Sequence, residues 1–357
     1  MSSALRLADK ARVLVLFTAG ALIAGACGGG GAAPTTAPAS SAAAATTATP
    51  KPSPTKIVSS YGNVTPSNLA PFMAKELGLF EKYNLNVDLT LISGGNASSA
   101  ALLSGNIQVA NFGGTEAMSA FAGGGDVRAV ALFVPVTPWQ LLAKADYKQP
   151  SDLKGKVVGV ASIGGSAYIA AVTALQSLGL DPQKDVNIQA FGDTAKLAAA
   201  MLGGAAYAGP GHPPDTTALL AAGFKPIVDL AAQKIPATDN CTIVLKSWAD
   251  KNPQALQAYV DAEIEAIGVA KKDKAKTLPI LAKLLNLDAT KDATTLSQTY
   301  DFYVLNIMPL YPHLDVKAFQ ATRDALVATN PNVKDLDVTK VLDDKYVADA
   351  EKRGIGK

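Results

Sequence analysis

Residues 85–118 read LNVDLTLISGGNASSAALLSGNIQVANFGGTEAM, and their pattern decides the fold class. Leu85, Val87, Leu89 and Leu91 alternate with Asn86, Asp88 and Thr90, the period-two pattern of a half-buried strand. Ser93-Gly94-Gly95 then opens a short helix over 96–104, closed by Gly105. Ile107 to Phe112 is a second apolar strand, and Gly113-Gly114 leads into a helix over 115–122. Strand, small-residue loop and helix, repeated, make a βα unit and imply a mostly parallel sheet with helices on its faces.

The same alternation extends both ways. Upstream, IVSSY (57–61) is a strand, and a helix over 67–80 carries apolar residues at 69, 72, 73, 77 and 80, with Gly78 marking its end. Downstream, 127–134 is a strand. After the polar stretch DYKQPSDLKG the pattern restarts: strands at 156–161, 186–191, 205–209 and 226–230 alternate with helices at 166–178, 193–202 and 214–222. The apolar run CTIVLK (241–246) leads into a helical tail, in which Asn252-Pro253 and Asp315 mark helix starts. Two α/β units and a tail predict two lobes with a cleft between them, where ligands sit beyond the carboxyl ends of the strands.

Composition narrows the function. The chain has 357 residues, 48% hydrophobic and 17% charged, so a packed core is expected. Its 32 basic and 30 acidic residues give no basic field for nucleic acid, and 6% aromatics offer no stacking platform. Two cysteines and two histidines, far apart, leave no metal site to expect. No GxSxG elbow, HExxH, CxxC, Walker loop or GxGxxG fingerprint is present, so neither an enzyme nor a cofactor is expected.

The start of the chain reads differently. Arg6, Lys10 and Arg12 precede a 12-residue apolar run, VLVLFTAGALIA (13–24), too short to span a bilayer and suited to an export signal over 1–26. IAGAC (23–27) resembles the lipobox of bacterial lipoproteins, which implies lipidation at Cys27; the alternative is an ordinary cleaved signal with a chance cysteine. Residues 28–55 carry one charge and no large apolar side chain, so 27–55 is expected to be a lipidated cysteine and flexible linker. Without residues 1–26 the chain holds 29 basic and 29 acidic residues, so a membrane contact would rest on lipid rather than charge. Cys241 is then the one thiol side chain remaining, expected in a buried strand.

Five loops at the expected strand ends are small or polar: 60–63, 93–96, 113–116, 162–166 and 209–214. Each opens a helix, whose first turn offers unpaired N–H groups and a positive dipole end. Together they can hold a small polar or anionic molecule without a charged side chain. Each loop alone is equally an ordinary cap or turn. Glu116 competes with an anion for those N–H groups and can instead accept from a ligand. His212, between Gly211 and Pro213, reads more naturally as a turn residue than as a base. Tyr61, Trp139 and Tyr168 suit either stacking on a planar ligand or packing.

The segment PFMAKELGLFEKYNLNVDLTLISGGNASSAALLSGNIQVANFGGTEAM (71–118), with SDLKGKVVGVASIGGSA (151–167), MLGGAAYAG (201–209) and AGFKPIVDL (222–230), resembles the nitrate/sulfonate/taurine-type, NMT1/THI5-like periplasmic binding proteins. The resemblance runs over nearly all of 56–350. It implies a type II periplasmic-binding fold of class α/β: two lobes, a hinge of two crossing strands near 139–146 and 238–246, and a helical C-terminal tail. Lobe 1 would comprise 56–145 and 239–357, and lobe 2 146–238. The implied role is an extracytoplasmic solute-binding protein of an ABC importer, a monomer anchored to the cell membrane by lipid, its partners the small-molecule ligand and a permease with its ATPase. Contacts would fall on Tyr61, Asn63, Gly114, Thr115 and Glu116, and on Ser162, Gly164, Gly165, Ser166 and His212. The ligand stays open between a sulfonate- or nitrate-like ion and a pyrimidine-like molecule. The cysteine-rich CCCFC run of the family's pyrimidine-synthesising enzymes is missing here. An enzyme using His212 and Glu116 in the same cleft, or a ligand-sensing module, is the alternative.

Overall fold

A computed structural model describes residues 53–357. The proposed signal, Cys27 and most of the linker lie outside the described residues. In the first sheet, β1 (Thr55–Tyr61) pairs in parallel with β2 (Leu85–Leu91) and β3 (Val109–Phe112), with Ser59 opposite both Leu89 and Val109. Helix α1 (Leu69–Glu76) follows a 3-10 turn at Pro66–Asn68, and α2 (Leu79–Lys82) comes next. The single helix expected over 67–80 is thus broken. Gly78 takes φ +66°, a left-handed turn that glycine adopts freely, and it redirects the chain between α1 and α2. Helices α3 (Gly95–Leu103) and α4 (Gly114–Ala122) alternate with the strands, and β4 (Val127–Val136) completes the unit.

The second sheet holds β5 (Gln140–Ala143), β6 (Val157–Val160), β7 (Asn187–Ala190), β8 (Ala208–Gly211) and β9 (Lys225–Asp229). Between them run α5 (Ser166–Ser177), α6 (Thr194–Leu202) and α7 (Asp215–Ala221). The chain returns to the first sheet as β10 (Pro236–Leu245). The strand orders are β2-β1-β3-β10-β4 and β7-β6-β8-β5-β9. The two are the same plan. In each sheet one antiparallel strand is inserted between parallel neighbours, and each inserted strand arrives straight from the other lobe.

Those arrivals are the two crossings, at 137–139 and 230–235. They pair with each other: Thr137 N–H donates to the Ile235 carbonyl (2.8 Å) and Leu230 N–H to the Trp139 carbonyl (3.1 Å). The sequence-based boundary at 145 therefore needs correction. Gln140–Ala143 forms ladders with β8 and β9, so the second lobe starts before 140, and β10 pulls 236–238 into the first.

The tail comprises α8 (Lys246–Lys251), α9 (Pro253–Lys272), α10 (Lys274–Leu285), α11 (Ala293–Tyr300) with a π-helical turn at Asp301–Ile307, α12 (Val316–Leu326) and α13 (Lys345–Arg353). It belongs to the first lobe's core. Tyr259 of α9 is fully buried and stacks on Phe80 at 4.8 Å. Burial of such a ring stabilises by about 2–3 kcal/mol. Pro253 occupies the first turn of α9, while the Asn252 side chain bonds back to Trp248; the Asp315 carboxylate accepts from Lys317 N–H and starts α12. Cys241 is fully buried in β10. No helix of the described residues is long and apolar enough to cross a membrane.

Candidate functional site

The strand ends of both sheets face each other across the crossings, and a chamber of about 50 Å³ lies between them. All five small-residue loops reach it, through Asn63, Gly95, Glu116, Ser162 with Gly165 and Ser166, and His212. A larger outer space of about 650 Å³ shares Asn63 and Thr194 with it and continues between the lobes to Asn286 and Leu287 at the end of α10.

Glu116 stands at the third position of α4. Its Oε2 accepts from the Thr115 hydroxyl at 2.5 Å. The carboxylate lies on glycine backbone: a β-carbon at position 95 would fall 2.3 Å from Oε1, and one at 113 would fall 2.8 Å from Oε2. Across the cleft, a β-carbon at 165 would lie 3.6 Å from Oε1. The starts of α3, α4 and α5 therefore converge on this one side chain. Burial raises its pKa to about 7; the Thr115 bond opposes the rise and the charge of Asp239 adds to it.

Asp239, in β10, is the second carboxylate. Trp139 Nε1 donates to Oδ1 (3.1 Å) and the Ser67 hydroxyl to Oδ2 (3.0 Å), and Ser166 of the other lobe lines the same chamber. Burial raises its pKa, against the pull of His212 and of the hydroxyl and indole donors around it. His212 is 1% exposed, packed 4.5 Å from the Trp139 ring and edge-on to Tyr303 at 5.6 Å. Its Nδ1 lies 3.0 Å from the Pro213 carbonyl, which can only accept, so Nδ1 carries the hydrogen. Ser166, Asp239 and His212 are neighbours but not a relay. The imidazole's hydrogen bond goes to the Pro213 carbonyl and to neither of the other two.

Asn68 and Asn240 complete the chamber. Asn68 Nδ2 donates to the Asn63 carbonyl (2.8 Å), which fixes its amide and turns its Oδ1 toward Asn240 Nδ2 (3.0 Å). Asn240 is 3% exposed, and its own Oδ1 has no partner among the described residues. Asn111, in the wall itself, joins Ser60, Tyr259 and Thr242, and Thr242 donates to the fully buried Glu263 (2.8 Å).

Of the residues expected from sequence, Asn63, Glu116, Ser162, Gly165, Ser166 and His212 line the chamber. Four do not. Tyr61 packs edge-on against Phe72 in the core, and Gly114 is pressed against Thr238. Thr115 acts through Glu116 and lines a separate cavity of about 20 Å³. Gly164, at φ +78°, faces Thr329 of the tail. Sequence reasoning did not pick out Ser67, Asn68, Asn111, Thr194, Asp239 or Asn240 as lining residues. Asp239-Asn240 carried a signal, a polar pair heading an otherwise apolar strand. Among the described residues, no three His, Cys, Asp or Glu side chains are placed to hold a metal ion.

A family profile described as NMT1/THI5 like matches residues 66–276, more than half of the chain. No curated protein matches the sequence. Among solved structures, a protein of Bordetella bronchiseptica RB50 is similar with a TM-score of 0.71 and 21% identity, over 84% of this chain and 98% of that one. The periplasmic aliphatic sulphonate binding protein SsuA of Escherichia coli gives 0.66 and 21%, over 81% and 97%. The desulfurization enzyme DSZB shares the architecture at 0.59 and 17%, over 84% and 99%. At these identities the likeness is one of fold, the two-lobed periplasmic binding architecture.

Proposed function

The chain belongs to the NMT1/THI5-like family, and from that premise we propose that it is the extracytoplasmic solute-binding component of an ABC importer. The observation that carries the reading is a small polar chamber closed between two lobes that are joined by two short crossings. A ligand contacting both lobes binds the closed form better than the open one and shifts the population accordingly. Closure brings the outer faces of both lobes into one arrangement that a permease, with its ATPase, can read. No bond needs to be made or broken.

Residues 1–26 act as the export signal and Cys27 carries the lipid in this reading, with 28–55 as the tether. Replacing Cys27 with alanine should release the protein from the membrane fraction. Retention of the Cys27→Ala protein in that fraction would count against the anchor. Solute binding itself is tested by thermal shift and scattering. A ligand at about 100 times its dissociation constant stabilises by about 2.7 kcal/mol. A metabolite panel that neither raises the melting temperature nor contracts the particle would refute the binding role.

A second reading has one observation in its favour. A carboxyl titrating near 7 in a closed cleft suits acid–base chemistry, and DSZB carries such a fold into catalysis. It predicts turnover of the bound molecule, lost in Glu116→Gln. Recovery of an unchanged ligand from the protein is the result expected of a carrier.

A further inference from the structure

Resting on the solute-binding reading, we infer that the chamber takes an organic cation bearing two or more N–H donors, such as an amidinium or guanidinium head, and that Glu116 excludes anions from it. Three acceptors from two elements line the same space. Glu116 comes from the start of α4, Asp239 from β10, and Asn240, next to it in β10, offers a buried Oδ1 that no group among the described residues answers. The amide cannot turn to hide that oxygen, because Asn68 is itself fixed by the Asn63 carbonyl. An orphaned buried acceptor calls for a donor. A sulfonate or carboxylate has none to give.

Charge points the same way. Helix starts attract anions, each carrying roughly half a positive charge. Here the starts of α3, α4 and α5 are already met by the Glu116 carboxyl group, and glycine at 95 and 113 makes the room it needs. Asp239 adds a second negative charge. Among the described residues, no lysine or arginine lines either the inner chamber or the outer space. The outer space adds Asp193, Asp215 and Asp292, of which Asp193 is paired with Lys196 at 2.8 Å. An anion in the inner chamber would sit beside two carboxyl groups, with no lysine or arginine among the described lining residues to offset them. A cation would replace the mutual repulsion of Glu116 and Asp239 with two charge-assisted hydrogen bonds. The inner volume of about 50 Å³ admits only a small head, and the rest of the molecule would extend past Asn63 and Thr194 into the outer space.

The test is calorimetric titration of the full chain with ethylguanidinium, acetamidinium and ethanesulfonate at pH 6 and pH 8. At least one cation should bind, more tightly at pH 8, and Glu116→Gln should weaken it about ten- to hundredfold. Asp239→Asn should do the same, and the melting temperature of each variant reports that the fold is kept. Binding of ethanesulfonate but neither cation overturns the inference, as does cation affinity unchanged in Glu116→Gln, or no binding by any probe. The solute-binding reading fails separately, through absence of lobe closure or through conversion of the bound molecule. A sulfonate that closes the lobes would therefore remove the cation and leave the carrier.

Discussion

The Trp139 indole donates a 3.1 Å hydrogen bond to Asp239 Oδ1, linking two residues 100 positions apart that stand at the second-lobe end of one crossing and the first-lobe end of the other. Trp139 directly precedes β5, and Asp239 lies just inside β10. The ring also forms one wall of the chamber against His212. Hinge geometry and chamber wall thus share one side chain, and bending the crossings moves a carboxylate that lines the chamber.

Trp139→Phe keeps much of the apolar packing and removes the N–H. A hydrogen bond to a charged group is worth about 1.5–3 kcal/mol, so ligand affinity should fall about tenfold or more. Calorimetry with any solute that binds the parent measures this. Unchanged affinity would mean that Ser67 holds Asp239 without the indole.

Gly95→Ala separates stability from binding. The new β-carbon overlaps Glu116 Oε1 at 2.3 Å, but that is the end of a flexible side chain, which can swing aside. Thermal stability should change by only about 1 kcal/mol. Ligand affinity should change at least tenfold, because Glu116 must leave its seat. Equal affinities in parent and variant would show that Glu116 has no part in binding.

Gly268→Ala is the contrast. Its β-carbon would meet the Gly356 carbonyl oxygen at 2.2 Å, backbone against backbone where the C-terminal end crosses α9. Nothing there can rotate away. We expect a loss of about 1–3 kcal/mol in chemical denaturation, with ligand affinity kept in the folded fraction. An undiminished unfolding midpoint would mean that the last residues undock without penalty.

The unliganded protein should lose stability between pH 5 and pH 8. Burial raises Glu263 from 4.5 to about 8 and Glu116 from 4.5 to about 7. Above pH 4.5 the unfolded chain has released these protons while the folded protein still holds them, so stability falls as pH rises toward the folded values. His313 adds in the same direction: burial lowers its pKa, but Asp344 and Glu351 raise it more, and that stabilisation fades as the imidazole loses its proton. Glu263→Gln should flatten the slope, recovering on the order of 3 kcal/mol at pH 7. Melting curves that rise toward pH 8 would contradict the assignment.

The sequence carried the lobes well because βα alternation is local. Leu85 to Leu91 alternates, Gly105 closes a helix, and each loop announces a helix start. Half of the chamber came with those loops. The other half arrives by topology. Asp239 and Asn240 enter because β10 inserts between β3 and β4, and Trp139 because β5 departs for the other sheet. No spacing in the chain encodes those insertions. Gly78 and Tyr61 were visible, but their roles as a helix break and a core residue depend on what packs against them.

The central claim is that two lobes close on a solute without altering it. Small-angle scattering of the purified chain, recorded before and after adding a solute that raises its melting temperature, tests this most directly, with mass spectrometry of the solute afterwards. The account predicts a smaller radius of gyration on binding, reversal on dialysis, and recovery of the solute at its original mass. A radius that does not change, or a solute returned as a different molecule, would contradict it.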